Sequence, residues 1–486
     1  MMKRFMPKSP SHTLLAFCFW YIHLLCLVER CKVQVRTNFT DPDEERALNA
    51  IFQYWGLSDT SDDWNISGDP CSGTAVDLSI RISEPGIKCD CQSNGGGTCH
   101  ITAMSVQGYS TGRRRVIPEE LLNLTYLTNL TLSGIGMEGS LPSFIGKFRH
   151  LRHLDISYNN FNGPLPPEIG TLPSLKHLHI MSAGFNGMLP PELGNLSRLQ
   201  QLDISSNGFN GLLPPELGNL SSLQELYMSI SGIGGEIPST FANLRNMKIL
   251  WASGSQLTKI PNFIGNWSLT DLDVSNNSIT GPLSAFTRNI TTMRSLDVSE
   301  NNMTGPLPAS IGNLKNLSFL HLSQNYITGP LPASIGNLMN LRYLDVSMNA
   351  ISGSTPKKLG NLRNLISLNI ASNNFTGSLP PELGNLTSLL TLYMDSSGLS
   401  GKIPSTFARL RNVNALWASD NNFTGKKPDF IGSWALTYLS MQGNAFVGPI
   451  PSRFYNLTSL QYLWLSDVSN GSPSYFIENM TSLSTL

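Results

Sequence analysis

Imidazole and carboxylate groups recur at a fixed spacing in the first half of this 486-residue chain. His153, Asp155, His177, His179 and Asp203 are separated by steps of 2 and 24 residues. Asp155 and Asp203 flank His179 in that scheme, which should favour its imidazolium, raise its pKa and create a pH-responsive patch. Metal ligation is the other chemistry open to such residues. A solvated polar surface is the preferred reading, and no metal or cofactor is assigned. Aromatic rings keep the same step: Tyr227 with Trp251, Phe319 with Tyr343, Tyr393 with Trp417, and Tyr462 beside Trp464. Rings held in register on a surface contribute contact area at low entropic cost, the usual property of binding anchors. No nucleophile, base and orienting group share such a register, so the chain is read as non-catalytic.

Four cysteines, Cys71, Cys89, Cys91 and Cys99, form an even set ahead of this region. In an oxidising compartment they imply two disulfides with three possible connectivities, of which the tight Cys89–Cys91 loop is disfavoured. A rival zinc site made by Cys89, Cys91, Cys99 and His100 departs from the usual ligand spacing. The compartment follows from the N-terminus. Lys3, Arg4 and Lys8 precede an apolar run from Leu14 to Val28, the pattern of a secretory signal peptide whose cleavage point is not obvious. Seventeen Asn-x-Ser/Thr sequons, among them Asn195, Asn219, Asn385 and Asn456, then favour a glycoprotein. Lys plus Arg and Asp plus Glu are both 33, so no net charge points to nucleic acid or anionic lipid.

The element that positions these side chains is a repeat. Leu-x-x-Leu-x-Leu-x-x-Asn-x-Leu-x-Gly-x-Leu-Pro begins at Leu127 and recurs, mostly every 24 residues, through fifteen units ending with the one that starts at Leu460. A fixed period of this kind predicts an α/β solenoid, a leucine-rich-repeat superhelix with one parallel concave sheet. Leu154 and Ile156 should face inward, with Leu151, Phe161 and Leu165 filling the core from the turns. Asn at the ninth position should satisfy backbone groups where each turn leaves the strand. Six units carry Ile135, Ala183, Ser231, Ser255, Ser397 or Val468 instead, and weaker turns are expected there. Gly163, Gly211, Gly305 and Gly377 suit positive φ or close packing. The expected organisation is a signal peptide over 1–31, a cap with a helix and disulfides over 32–126, and repeats over 127–486.

Several motifs are more specific than the repeat. Asp69-Pro70-Cys71-Ser72-Gly73, Cys89-Asp-Cys91 and Cys99-His100 precede the first unit, and Ile403-Pro-Ser-Thr-Phe407, Lys427-Pro-Asp-Phe-Ile-Gly-Ser-Trp434 and Leu463–Gly471 lie near the end. Together they resemble the plant receptor-like serine/threonine kinases whose ectodomain combines leucine-rich repeats with a malectin-like domain. The resemblance implies a cell-surface receptor, reached through the secretory pathway, whose concave face meets a peptide, a cell-wall glycan or a co-receptor ectodomain. The chain stops at Leu483-x-x-Leu486, the start of a sixteenth unit. It is therefore expected to be a truncated receptor portion, joined to a membrane only through a missing C-terminal segment or a retained signal anchor, and to aggregate alone. The alternative is a soluble secreted wall protein resembling polygalacturonase-inhibiting proteins. One departure is a duplication: Gly235–Ser253 and Gly401–Ser419 share 14 of 19 residues at an offset of 166.

Overall fold

Each unit folds because its apolar residues cannot be buried within one coil and can be buried between coils. In the computed structural model, which describes residues 39–56, 68–71, 86–92, 97–108, 115–283, 290–465 and 480–485, Leu151, Leu154, Ile156, Phe161 and Leu165 all lie in one continuous core. The second leucine of the motif sits at the middle of a three-residue strand, as in His153–Asp155, His177–His179 and Gln201–Asp203. These strands pair in parallel, residue for residue, from Asn129–Ser133 to Tyr462–Trp464. The result is the expected leucine-rich-repeat superhelix, its long sheet extended at the N-terminal end by Thr98–Gln107. Among the described residues a five-residue 3-10 turn recurs from coil to coil, for example Pro191–Asn195, and short second strands such as Thr280–Gly281 and Asn302–Pro306 pair into smaller sheets.

The asparagine column explains why the strands cannot slip. Asn159 Oδ1 accepts the Ile135 and Met137 N–H groups at 3.3 and 3.0 Å. Its Nδ2 donates to the Leu132, Ile156 and Ser157 carbonyls at 2.7, 2.9 and 3.1 Å. One buried amide thus serves two successive coils, and Asn325 and Asn373 repeat the arrangement. Where serine replaces it, only part survives: Ser397 Oγ lies 2.7 Å from the Met394 carbonyl and within 3.2 Å of two others, with a single hydrogen to share. At Ala183 the carbonyl-binding half is lost, but its own N–H still reaches Asn207 of the next unit. Val468 lies outside the described residues.

Glycine has two distinct jobs. Gly377 has φ +79 with open space where a side chain would go, so conformation selects it. In Gly194, of the Gly-Asn-Leu stretch, a Cβ would fall 2.3 Å from the Glu216 carbonyl oxygen, so close approach of the next coil selects it.

Near the N-terminus Asp41 caps the helix Pro42–Trp55, its carboxylate accepting the Asp43 and Glu44 N–H groups. Glu44 is buried, accepting from Ile101 N–H at 2.6 Å and meeting His100 Nδ1 at 2.9 Å. The four cysteines form Cys71–Cys89 and Cys91–Cys99. Both sulfurs of each pair are consumed, so the zinc alternative at Cys89, Cys91, Cys99 and His100 is overturned. The signal region 1–31, with Cys18, Cys26 and Cys31, lies outside the described residues. Among those residues no helix is long and apolar enough to cross a membrane.

Candidate recognition surface

The residues on either side of each central leucine face the groove, because side chains alternate along a strand. They form two columns across the sheet. One runs Tyr227, Trp251, Asp273, Asp297, His321, Asp345, Asn369, Tyr393, Trp417, Ser440, Trp464, each opposite the next in register. The other contains His153, His177, Phe319, Tyr343, Tyr438 and Tyr462.

The eight aromatic residues singled out from sequence do not make one ridge. Tyr227 and Trp251 meet edge to face at 5.1 Å. Phe319 and Tyr343 are 6.1 Å apart near the middle. Tyr393, Trp417, Tyr462 and Trp464 gather at the C-terminal end, where Trp417 touches both Tyr393 at 6.1 Å and Trp464 at 5.5 Å. Trp417 and Trp464 are two strands apart, and Ser440 between them is buried and small enough for the indoles to lean over it. Tyr438, which the sequence reading passed over, completes this cluster by stacking on Tyr462 at 4.7 Å and 5°. Its position two residues after Leu436 was the available signal. The duplicated block therefore presents two different surfaces: Trp251, with an aspartate on its next strand, is 45% exposed, whereas Trp417 is half-buried among its neighbours.

Between the outer aromatic groups lies a polar floor. Its aspartates have a structural side. In Asp273, Asp297 and Asp345, Oδ1 accepts the N–H of the serine two residues on at about 3.0 Å, bracing the turn out of the strand. Oδ2 is left for the groove. Asp297 Oδ2 meets His321 Nδ1 at 3.0 Å, and Asp345 Oδ2 lies 3.7 Å from His321 Nε2. Ser323 Oγ is 2.8 Å from the same Nε2. Serine, histidine and aspartate thus line up, a constellation missed in the sequence because its parts sit on adjacent strands. Ser323 is buried and braces the ring, so the group positions charge and offers no accessible nucleophile. The hydrogen bond to Asp297 holds His321 above the ordinary histidine value, and His321 in turn helps hold the Asp297 carboxyl down against its burial.

The N-terminal histidines behave differently. His153 lies 5.7 Å from His177 and 5.2 Å from His179, ring centre to ring centre. Burial, then the proximity of His179, pushes His153 down to about 4, against the pull of Asp155. His177 is also lowered, chiefly by burial. The closest ring neighbours of these two are histidines, and the histidine that carboxylates raise is His321. Asp203 braces Ser205 N–H at 3.0 Å. From His179 Nε2 a chain of hydrogen bonds runs through Gln201 (2.7 Å) and Glu225 (2.8 Å) to the Tyr227 hydroxyl (2.9 Å). Burial and that carboxylate push the Tyr227 phenol up to about 12. The sequons Asn195, Asn219, Asn385 and Asn456 each end a 3-10 turn.

Comparison with known proteins fits this geometry. A family model described as Leucine rich repeat matches residues 291–351, and a second matches 150–172, 198–220, 268–289 and 364–386. A probable leucine-rich-repeat receptor-like serine/threonine-protein kinase of Arabidopsis thaliana is 40% identical over 126 residues, covering 25% of this chain and 12% of that protein. The chain thus spans about an eighth of the length of the curated relative it matches. Among solved structures, a TDR receptor superposes with TM-score 0.68 at 30% identity, covering 75% of this chain and 68% of that one. The Arabidopsis receptor kinase HAESA, in complex with the peptide hormone IDA and the co-receptor SERK1, gives TM-score 0.60 at 25% identity, covering 87% and 81%.

Proposed function

Given that this chain belongs to the leucine-rich-repeat family, with plant receptor-like serine/threonine kinases as its homologues, we propose that it is the ligand-recognition region of such a receptor and that it holds an extracellular peptide along the concave sheet. The carrying observation is the aromatic cluster of Tyr393, Trp417, Tyr438, Tyr462 and Trp464. Its rings are partly exposed at one end of a polar floor whose other end is Tyr227 and Trp251. Seven strand steps separate Tyr227 from Tyr393, roughly 34 Å at the usual strand spacing. An extended chain of about ten residues covers that length. Its backbone amides would meet the carboxylates of the floor, whose oxygens can each accept more than one hydrogen bond, and an apolar side chain would seat against the indoles. This arrangement supports a peptide over a branched glycan. The HAESA complex contains a peptide hormone and a co-receptor on the same fold, which supports a surface location and a second ectodomain as partner. The region acts by binding, and any phosphoryl transfer belongs to other parts of a full receptor.

The test is binding of a labelled library of about ten-residue peptides, run beside a cell-wall oligosaccharide array. Trp417→Ala with Trp464→Ala should weaken peptide binding at least about tenfold without changing the melting temperature greatly. Undiminished binding in that variant, or selection of oligosaccharides alone, would remove the peptide reading.

A further inference from the structure

The second chemistry of the N-terminal histidines stands apart from peptide recognition. His153 and Asp155 lie on one strand, His177 and His179 directly opposite on the next, making a square of four side chains on the groove floor. One ligand atom from each of His153, Asp155 and His179 lies within 4.8 Å of the others. Metal–ligand lengths of about 2.0–2.1 Å at tetrahedral angles put ligand atoms about 3.3 Å apart. Closing the remaining gap takes less than about 2 Å, within reach of side-chain rotation in half-buried residues. We propose that His153, Asp155 and His179 bind one divalent cation of the zinc class on the concave face.

Two further features support this assignment. Asp155 Oδ1 is committed to the Ser157 N–H at 3.0 Å, which leaves Oδ2 for a cation. The Glu225 carboxylate can only accept, so Gln201 must turn its NH2 toward Glu225 at 2.8 Å and its Oε1 toward His179. His179 therefore carries its hydrogen on Nε2 and keeps the Nδ1 lone pair free. This is the outer hydrogen bond that fixes the tautomer of a ligating histidine. Neutral imidazole is also the ligating form. Three protein ligands leave one position of a tetrahedral site open to the groove. Nitrogen-rich donors with a single carboxylate suit zinc better than calcium or magnesium, which prefer all-oxygen shells.

The experiment uses the full chain, stripped with a chelator and titrated with Zn2+ alone by calorimetry near neutral pH. One ion per chain is expected. His153→Asn with His179→Asn should weaken it at least about a hundredfold. Gln201→Ala, which touches no ligand atom of the ion, should cost between about tenfold and a hundredfold. Asp155→Asn is the folding-safe ligand variant, because Asn369 in the equivalent position braces its own turn through Oδ1 at 3.1 Å. Metal-free melting temperatures control for misfolding. Co2+ in place of Zn2+ should give the intense visible band of a four-coordinate ion in wild type and lose it in Asp155→Asn. Absence of binding at micromolar Zn2+, several equivalent sites, or unchanged affinity in the double variant would each overturn the site.

Discussion

His153 and His321 face the same groove and are both partly buried, yet their proton affinities move in opposite directions. Burial and His179 push His153 down to about 4, whereas Asp297 holds His321 up. The difference is in the registered neighbours. His153 lies opposite His177 and diagonal to His179, and its nearest carboxylate, Asp155, is two residues along its own strand. His321 lies opposite an aspartate on each side, and one of these bonds it through Oδ2. A carboxylate acts on an imidazole in this sheet through the adjacent strand, where a direct hydrogen bond offsets burial. Carboxylates elsewhere leave burial in control.

The consequence for stability has a definite sign. A histidine lowered in the folded state takes fewer protons than the unfolded chain, so His153 costs stability as pH falls from about 6.5 toward 4. His321, raised, contributes stability that is fully present below about 6.5 and lost as pH rises through its folded value. The largest test converts one environment into the other. His179→Asp puts the column's commonest residue beside His153 and should raise its pKa by about two units. Histidine Cε1–H chemical shifts followed against pH read this directly, and a value still near 4 would mean that burial alone sets it. Next, His153→Asn should remove much of the acid-side loss, retaining about 1–2 kcal/mol at pH 4.5 relative to wild type after allowance for the ring's partial exposure. Urea melts at pH 4.5 and 6.5 measure it. Asp297→Asn should lower the His321 pKa and flatten the decline in stability on the alkaline side, seen in the same melts at pH 6.5 and 8. Smallest of all, Ser323→Ala removes the contact at Nε2 and should move His321 less than Asp297→Asn does. An equal movement would shift the weight of the argument from charge to hydrogen-bond count.

The repeat made much of the fold legible. Inward Leu154 and Ile156, the asparagine column and the positive φ of Gly377 follow from period and residue type. The groove columns were legible as lists, since position within the unit fixes which face a side chain takes. Their grouping was not. Trp417 meets Trp464 because Ser440 between them is small, and Tyr438 stacks on Tyr462 because both precede the central leucine on neighbouring strands. The direction of the His153 shift was hidden for a related reason: sequence shows which charges are near, but burial and rotamer decide whether they touch. The pairing of Cys71 with Cys89 and Cys91 with Cys99 likewise needed three-dimensional proximity. Gly194 escaped notice because its reason lies in the following coil.

The asparagine amides carry a further implication. Each joins its own coil to the one before by bonds to backbone alone, so the joint is indifferent to which particular neighbour supplies the peptide groups. A whole coil can be copied or dropped and the seam will mend itself, whereas a fraction of one leaves donors facing empty space. The two kindred blocks at Gly235 and Gly401, seven whole units apart, are what such a rule of growth would leave behind.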